Sequence, residues 1–322
     1  MLSYFITLLR RSWRMFVAVS KVMLPVMVIV QIAQEFGVVD MVGRLIAPAM
    51  SLLNLPPEAG IIWTTTMLTG IYGGIATLAG LAGSADMTAG QLSALCAMML
   101  FTHNIPVEQA IVKQAGAGFW STSALRVGTA IAYGAAVSWA CHLTGALAEP
   151  MSFEWLRGSA AASDGTANSY LAWAQATAFS LLLTFVIIAV LVMVLDALEK
   201  LGITRRITTA MMPLLRISGL NAQVAPVTTV GVLLGLTYGG ALIIEEAKKQ
   251  NFSPRTRFLA LTWLSLSHAL IEDTILLVAL GADVWILLVG RVLITLAIVA
   301  TLAKLTDRGS WSTNPASAEQ TS

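Results

Sequence analysis

"THNIPVEQAIVKQAGAGFW" occupies residues 102–120, and "SHALIEDTILLVALGADVW" occupies residues 267–285. The two align without a gap at a spacing of 165 residues. His103 meets His268, Glu108 meets Asp273, and Gly116 meets Gly281. Ala117 meets Ala282, and Trp120 meets Trp285. The chain has only 3 histidines, so two at matched positions are hard to ascribe to chance. Downstream, Arg126-Val127 meets Arg291-Val292; upstream, Gly37 and Pro48 meet Gly202 and Pro213 at the same spacing. Tyr72-Gly73-Gly74 returns as Tyr238-Gly239-Gly240, one residue out of phase. Self-similarity on this scale decides the fold before any local reading does: the chain is two copies of one unit.

Composition says where the copies reside. Of 322 residues, 57% are hydrophobic and 11% charged, with a mean hydropathy of +0.79. Soluble domains carry roughly 25% charge. Apolar runs recur from residue 15 to about 305, several near the ~20 residues that a membrane helix needs. The short alternating segments of a β-barrel are absent. The expected class is all-α, a polytopic membrane protein. Arg10, Arg11 and Arg14 precede the first apolar run, which is too long for a signal-peptide core and lacks a cleavage motif. Cys96 and Cys141 form no CxxC pair and read as small apolar-run residues.

Each copy reads in one order. A long apolar helix (15–36; 170–200) leads to a short mixed-charge segment ("VVDMVGRLIAPAMSLLN"; "ITRRITTAMMPLLRISG") suited to a helix lying in the interface. A Gly-interrupted run (58–82; 223–245) follows, then the run holding the His-acid break (90–116; 254–281), then a closing helix (119–147; 284–305). The resulting division is 1–147 for the first repeat, 148–169 for a polar linker, 170–305 for the second repeat, and 306–322 for a disordered tail. Lys200, Arg205, Arg206 and Arg216 mark the cytoplasmic side by the positive-inside rule, whereas the equivalent stretch carries Glu35, Asp40 and Glu58 against Arg44. Opposite charge at equivalent segments predicts inverted repeats. The basic stretch 248–257 can share a side with 200–219 if the Gly-rich run is a re-entrant hairpin turning at "YGG". Both termini are expected in the cytoplasm, in a multi-pass plasma-membrane (inner-membrane) protein.

The breaks carry the chemistry. His103, Asn104, Glu108 and Gln109 interrupt an apolar run, and Pro106 removes a backbone donor. A buried carboxylate needs a partner, and paired broken helices at mid-membrane are where transporters bind substrate. A kinked helix whose His and Glu satisfy each other is the plainer reading. In the second break, Glu272 and Asp273 are adjacent, so on a helix they point about 100° apart. One can face a site while the other pairs with a neighbouring helix. Arg126 and Arg291, each 23 residues beyond its histidine, are expected as counter-ions of Glu108 and of Asp273 or Glu272, or as substrate contacts. Lys113 is expected to snorkel, and His142 to be structural. Walker A, Rossmann and HExxH motifs are absent, so a pump or a soluble-type enzyme is not expected, nor is a cofactor or a nucleic-acid partner.

On "TGIYGGIATLAG", "FTHNIPVEQAIVKQAG", "GLTYGGALI" and "LSHALIEDT", the chain resembles the nucleoside-recognition (Gate) family, which includes spore maturation-type proteins. It is distantly similar to concentrative nucleoside transporters and to the membrane region of the ferrous iron transporter B. The resemblance implies an inverted repeat of interfacial helix, re-entrant hairpin, unwound helix and helix. It also implies a site formed by Tyr72, Gly73, Gly74, His103, Asn104, Glu108, Gln109, Tyr238, Gly239, Gly240, His268, Glu272 and Asp273. The expected function is secondary transport of a small polar solute, nucleoside-like compounds included, coupled to H+ or Na+ through His103, Glu108, His268, Glu272 and Asp273. A divalent-metal permease using the same side chains and a non-transporting scaffold are the alternatives. The resemblance also implies a homo-oligomer or a membrane partner.

Overall fold

The computed structural model describes residues 2–156, 169–220, 224, 228, 229, 231, 232 and 252–308. Tyr238, Gly239, Gly240, most of the second Gly-rich run, most of the linker and the tail from 309 lie outside the described residues.

The described chain is helical in the expected order. α1 (Leu2–Glu35) ends at Gly37, whose φ of 67° opens α2 (Val38–Leu52). α3 (Pro57–Thr69) and α4 (Ile71–Gly80) form the Gly-rich run. α5 (Ala89–Thr102) and α6 (Ile105–Gln114) flank the first break, and α7 (Phe119–Thr144) closes the copy. α8 (Ser169–Lys200) and α9 (Ile203–Ile217) restart the order. α10 (Pro254–Leu266) and α11 (Glu272–Val278) flank the second break. A π-helical turn at Trp285–Gly290 then runs into α12 (Arg291–Arg308). Among the described residues, three stretches are long and apolar enough to cross a membrane: Ala89–Gln114, Thr177–Val194 and Trp285–Thr306. The chain is therefore an all-α membrane protein in its main architecture. Its one sheet among the described residues is a two-residue ladder of β1 (Met87–Thr88) against β2 (Pro150–Met151).

The duplication is written into the backbone. Left-handed residues fall in matched pairs: Gly37 and Gly202 (67° and 68°), Asn54 and Gly219 (54° and 87°), Asn104 and Ala269 (50° and 46°), Gly116 and Gly281 (100° and 103°). An L-residue rarely adopts this region, so Asn104 and Ala269 in it mark a conformation that both copies impose. Hydrogen bonds match as well. Gly116 N–H donates to Lys113 and Gly281 N–H to Val278; Leu55 N–H donates to Met50 and Leu220 N–H to Leu215.

The "YGG" motif departs from its expected role. Tyr72-Gly73-Gly74 sits in the first turn of α4, and the chain reverses one step earlier, at Gly70 (φ 96°). The two glycines serve packing: a Cβ on Gly73 would collide with Thr69 Oγ1, and one on Gly74 with Thr66 Oγ1. They let α4 lie close against α3.

By contacts the chain forms two compact units: Met1–Pro106, Leu125–Ile203 and Ile271–Leu288; and Val107–Ala124, Thr204–Leu270 and Val289–Ser322. In the first, α1 packs on α4 and α8, α2 on α3, and α11 on α5 and α8. A strap from the linker is tied down there: Phe153 and Leu156 are buried, and the Ser180 hydroxyl donates to the Leu156 carbonyl. In the second, α10 packs on α12. Trp263 Nε1 donates to Ser218 Oγ at 2.7 Å, and Arg255 reaches the Ala303 carbonyl at 2.8 Å.

Candidate functional site

Both breaks are built alike. In the first unit, α5 ends at Thr102 and Asn104 turns left-handed. The Asn104 N–H donates to the Thr66 carbonyl on α3 at 3.1 Å. In the second, α10 ends at Leu266, Ala269 turns left-handed, and the Leu270 N–H donates to the Val232 carbonyl at 3.0 Å. Each break thus leans on the Gly-rich segment of its own copy. The termini of broken helices leave carbonyls without intrahelical donors, and here a buried arginine supplies them. Arg126 donates through Nε to the Phe101 carbonyl and through Nη2 to the His103 carbonyl at 2.9 Å. Arg291 Nε donates to the Leu266 carbonyl at 2.9 Å, the equivalent position. Both arginines are fully buried. The sequence pointed to acids as their partners; the contacts described here are to main-chain oxygens that the broken helices leave as acceptors in an apolar interior.

The histidines repeat too. His103 Nδ1 lies 3.3 Å from the Met99 carbonyl and 3.1 Å from that of Leu100, and His268 Nδ1 lies 2.6 Å from the Leu264 carbonyl. A carbonyl only accepts, so Nδ1 carries a hydrogen in each ring. Each Nε2 then faces a carboxylate, and the partners are exchanged between copies. In the first unit, His103 Nε2 lies 3.7 Å from Asp273 Oδ2. In the second, His268 Nε2 lies 3.1 Å from Glu108 Oε1. His103, His268 and Glu108 are buried, and Asp273 is half-buried.

This geometry has a chemical consequence. With Nδ1 protonated, a neutral imidazole offers only a lone pair at Nε2, and a carboxylate offers only lone pairs. The His268–Glu108 contact closes only if one further proton lies on either side of it. Ion pair and neutral acid–imidazole are two descriptions of that one-proton state. At 3.7 Å the His103–Asp273 separation lies beyond hydrogen-bond range and would acquire the same requirement only on closing.

Buried polar atoms with unused hydrogen-bonding capacity cluster by sequence around both pairs. In the first unit they include the Tyr72 hydroxyl and Thr274 Oγ1, next to Asp273. In the second they include Gln109 Nε2, next to Glu108, and Ser265 and Ser267 Oγ, next to His268. Native proteins leave few such groups unsatisfied. Gln109 is half-satisfied, since Thr122 Oγ1 donates to its Oε1 at 2.6 Å. Tyr72 also lines a small cavity of about 20 Å³ with Ser180, Thr184, Leu276 and Leu280. Glu272 begins α11 and is half-buried. Asn104 is half-buried and contributes its backbone to the turn. Lys113 is exposed. Ser265, Ser267 and Thr274 were not singled out from sequence, although "SLSH" and "EDT" are unusually polar for a membrane run.

Known proteins give the following. Residues 16–118 match the Gate family model, described as nucleoside recognition. That match covers α2, the Gly-rich run and the first break, and it bears out the resemblance carried by the motifs there. Over 284 residues the chain is 28% identical to the uncharacterized membrane protein YvoD of Bacillus subtilis (strain 168), covering 88% of each chain. No solved structure matches.

Proposed function

We propose that the protein is a secondary transporter of a small, polar, neutral solute of the nucleoside class, driven by protons through its two histidine–acid pairs. The observation that carries this reading is the one-proton contact of His268 with Glu108 at 3.1 Å, with His103 approaching Asp273 to 3.7 Å in the exchanged pairing. Histidine is the side chain whose ordinary titration lies near neutral pH, so each pair can open and close as protons come and go. The unused donors and acceptors beside the pairs, among them Gln109, Ser267 and Tyr72, suit hydroxyls and base edges. Support for the solute class comes from the match of residues 16–118 to a family described by nucleoside recognition. The inverted arrangement of the two copies, the re-entrant course of the Gly-rich runs and cytoplasmic termini belong to the same proposal. No step of the reading calls for catalysis.

The solute is found by thermal shift. Purified protein is screened against nucleosides, nucleobases and divalent metals, since a ligand at 100 times its Kd stabilises by about 2.7 kcal/mol. A nucleoside or nucleobase that raises the melting temperature, and is then accumulated by proteoliposomes under an inward proton gradient, is the expected result. Stabilisation by metals alone, lost in His103→Ala/His268→Ala, would replace this reading with a metal permease. Inertness to every solute, together with co-purification of a stoichiometric membrane partner, would replace it with a scaffold.

A further inference from the structure

We propose that the first unit holds an anionic phospholipid of the bilayer in a groove at the start of α1, with its phosphodiester on Arg10 and Arg14. The groove has a volume of about 770 Å³ and is lined by Leu9, Arg10, Trp13, Arg14 and Phe185. Its walls come from α1 and α8, which pack on each other through Leu8, Phe16, Ile188 and Val192. Arg10 and Arg14 are exposed and one turn apart on α1, so their guanidinium groups reach the same neighbourhood. No acid lines the groove among the described residues.

The apolar part is ordered to match. Trp13 stands edge-on to Phe185 at a centroid separation of 6.0 Å and tilts against Phe16 at 5.6 Å. Tryptophan favours the membrane interface, where one end is apolar and the other wet. Beyond it, Val17, Leu24 and Val28 carry on the exposed face that Ile6, Leu9 and Trp13 begin, with the exposed Lys21 between Val17 and Leu24. Two cations at one end of a largely apolar face form the complement of a lipid with one negative headgroup and long chains. Basic pockets between membrane helices take such headgroups, and arginine's planar fork matches phosphate oxygens two at a time.

The full-length protein in vesicles tests this. Brominated phosphatidylglycerol and brominated phosphatidylcholine of equal chain length are each used to quench tryptophan fluorescence. The Trp13 contribution is the difference between wild type and Trp13→Phe. Expected is several-fold stronger quenching of Trp13 by the phosphatidylglycerol, a preference lost in Arg10→Gln/Arg14→Gln and kept in Arg10→Lys/Arg14→Lys. Equal quenching by the two lipids in wild type would overturn the proposal. So would a preference that survives the double Gln change, or one that the double Lys variant loses.

Discussion

Under the proposed proton coupling, Glu108→Gln should lower accumulation of solute by about tenfold to a hundredfold while exchange of bound solute is less affected. The wild-type contact between Glu108 Oε1 and His268 Nε2, at 3.1 Å, closes only when a proton is present. A glutamine at 108 brings its own N–H, and that amide donates to neutral Nε2 without any proton from solution. The pair then stays closed across the whole pH range, and the step that senses the gradient is gone. A hydrogen bond to a charged group is worth about 1.5–3 kcal/mol, which is about a tenfold to hundredfold change in the balance of two states. Accumulation under a proton gradient should fall by about that factor, with exchange of labelled for unlabelled solute less affected. Asp273→Asn should act in the same direction through His103. Uptake by both variants at wild-type rates, indifferent to proton and sodium gradients, would reject the coupling mechanism.

The second large effect is on folding. Arg126 is fully buried and serves two main-chain carbonyls, those of Phe101 and His103. Arg126→Met keeps much of the apolar stem and removes every donor. Each orphaned buried acceptor costs about 1–3 kcal/mol, so two cost about 2–6 kcal/mol against a total stability of about 5–15 kcal/mol. The variant should therefore unfold at markedly lower temperature in detergent, or fail to accumulate in the membrane. Arg126→Lys should recover only part of the loss, since a single ammonium cannot reproduce the planar reach from Nε and Nη2. Arg291→Met should behave in the same way at its equivalent position. A melting temperature for Arg126→Met equal to wild type would show that the carbonyls find other donors.

The duplication was legible in the sequence because its markers are rare residues at a constant spacing: two of three histidines, the glycines at 116 and 281, and the arginines at 126 and 291. Helix order followed from the apolar runs, and the breaks from polar residues that an apolar segment has no other reason to hold. What the residues could not show was who meets whom. Alignment equates Glu108 with Asp273 and His103 with His268, yet in the structure each histidine meets the acid of the other copy. Equivalence along the chain is a statement about ancestry or register, and contact is a statement about packing. The main-chain contacts of Arg126 and Arg291 were hidden for a related reason. A sequence displays formal charges, whereas the carbonyls that demand these arginines exist only once the helices have broken. Tyr72-Gly73-Gly74 looked like a turn because glycine permits one, but the constraint there is the approach of Thr66 and Thr69 to a helix face. Its counterpart, Tyr238 to Gly240, lies outside the described residues.

The most direct test of the exchanged pairing needs no solute. Thermal and denaturant unfolding of Glu108→Ala, His268→Ala and the double variant closes a mutant cycle in which each change removes the contact, and the same is done for His103 with Asp273. Residues in contact show interaction energies of about 0.5–3 kcal/mol, whereas independent sites add within about 0.5 kcal/mol. The account predicts an interaction in that higher range for Glu108 with His268, and a smaller one for the longer His103–Asp273 pair. Additive effects for Glu108 and His268 would contradict it.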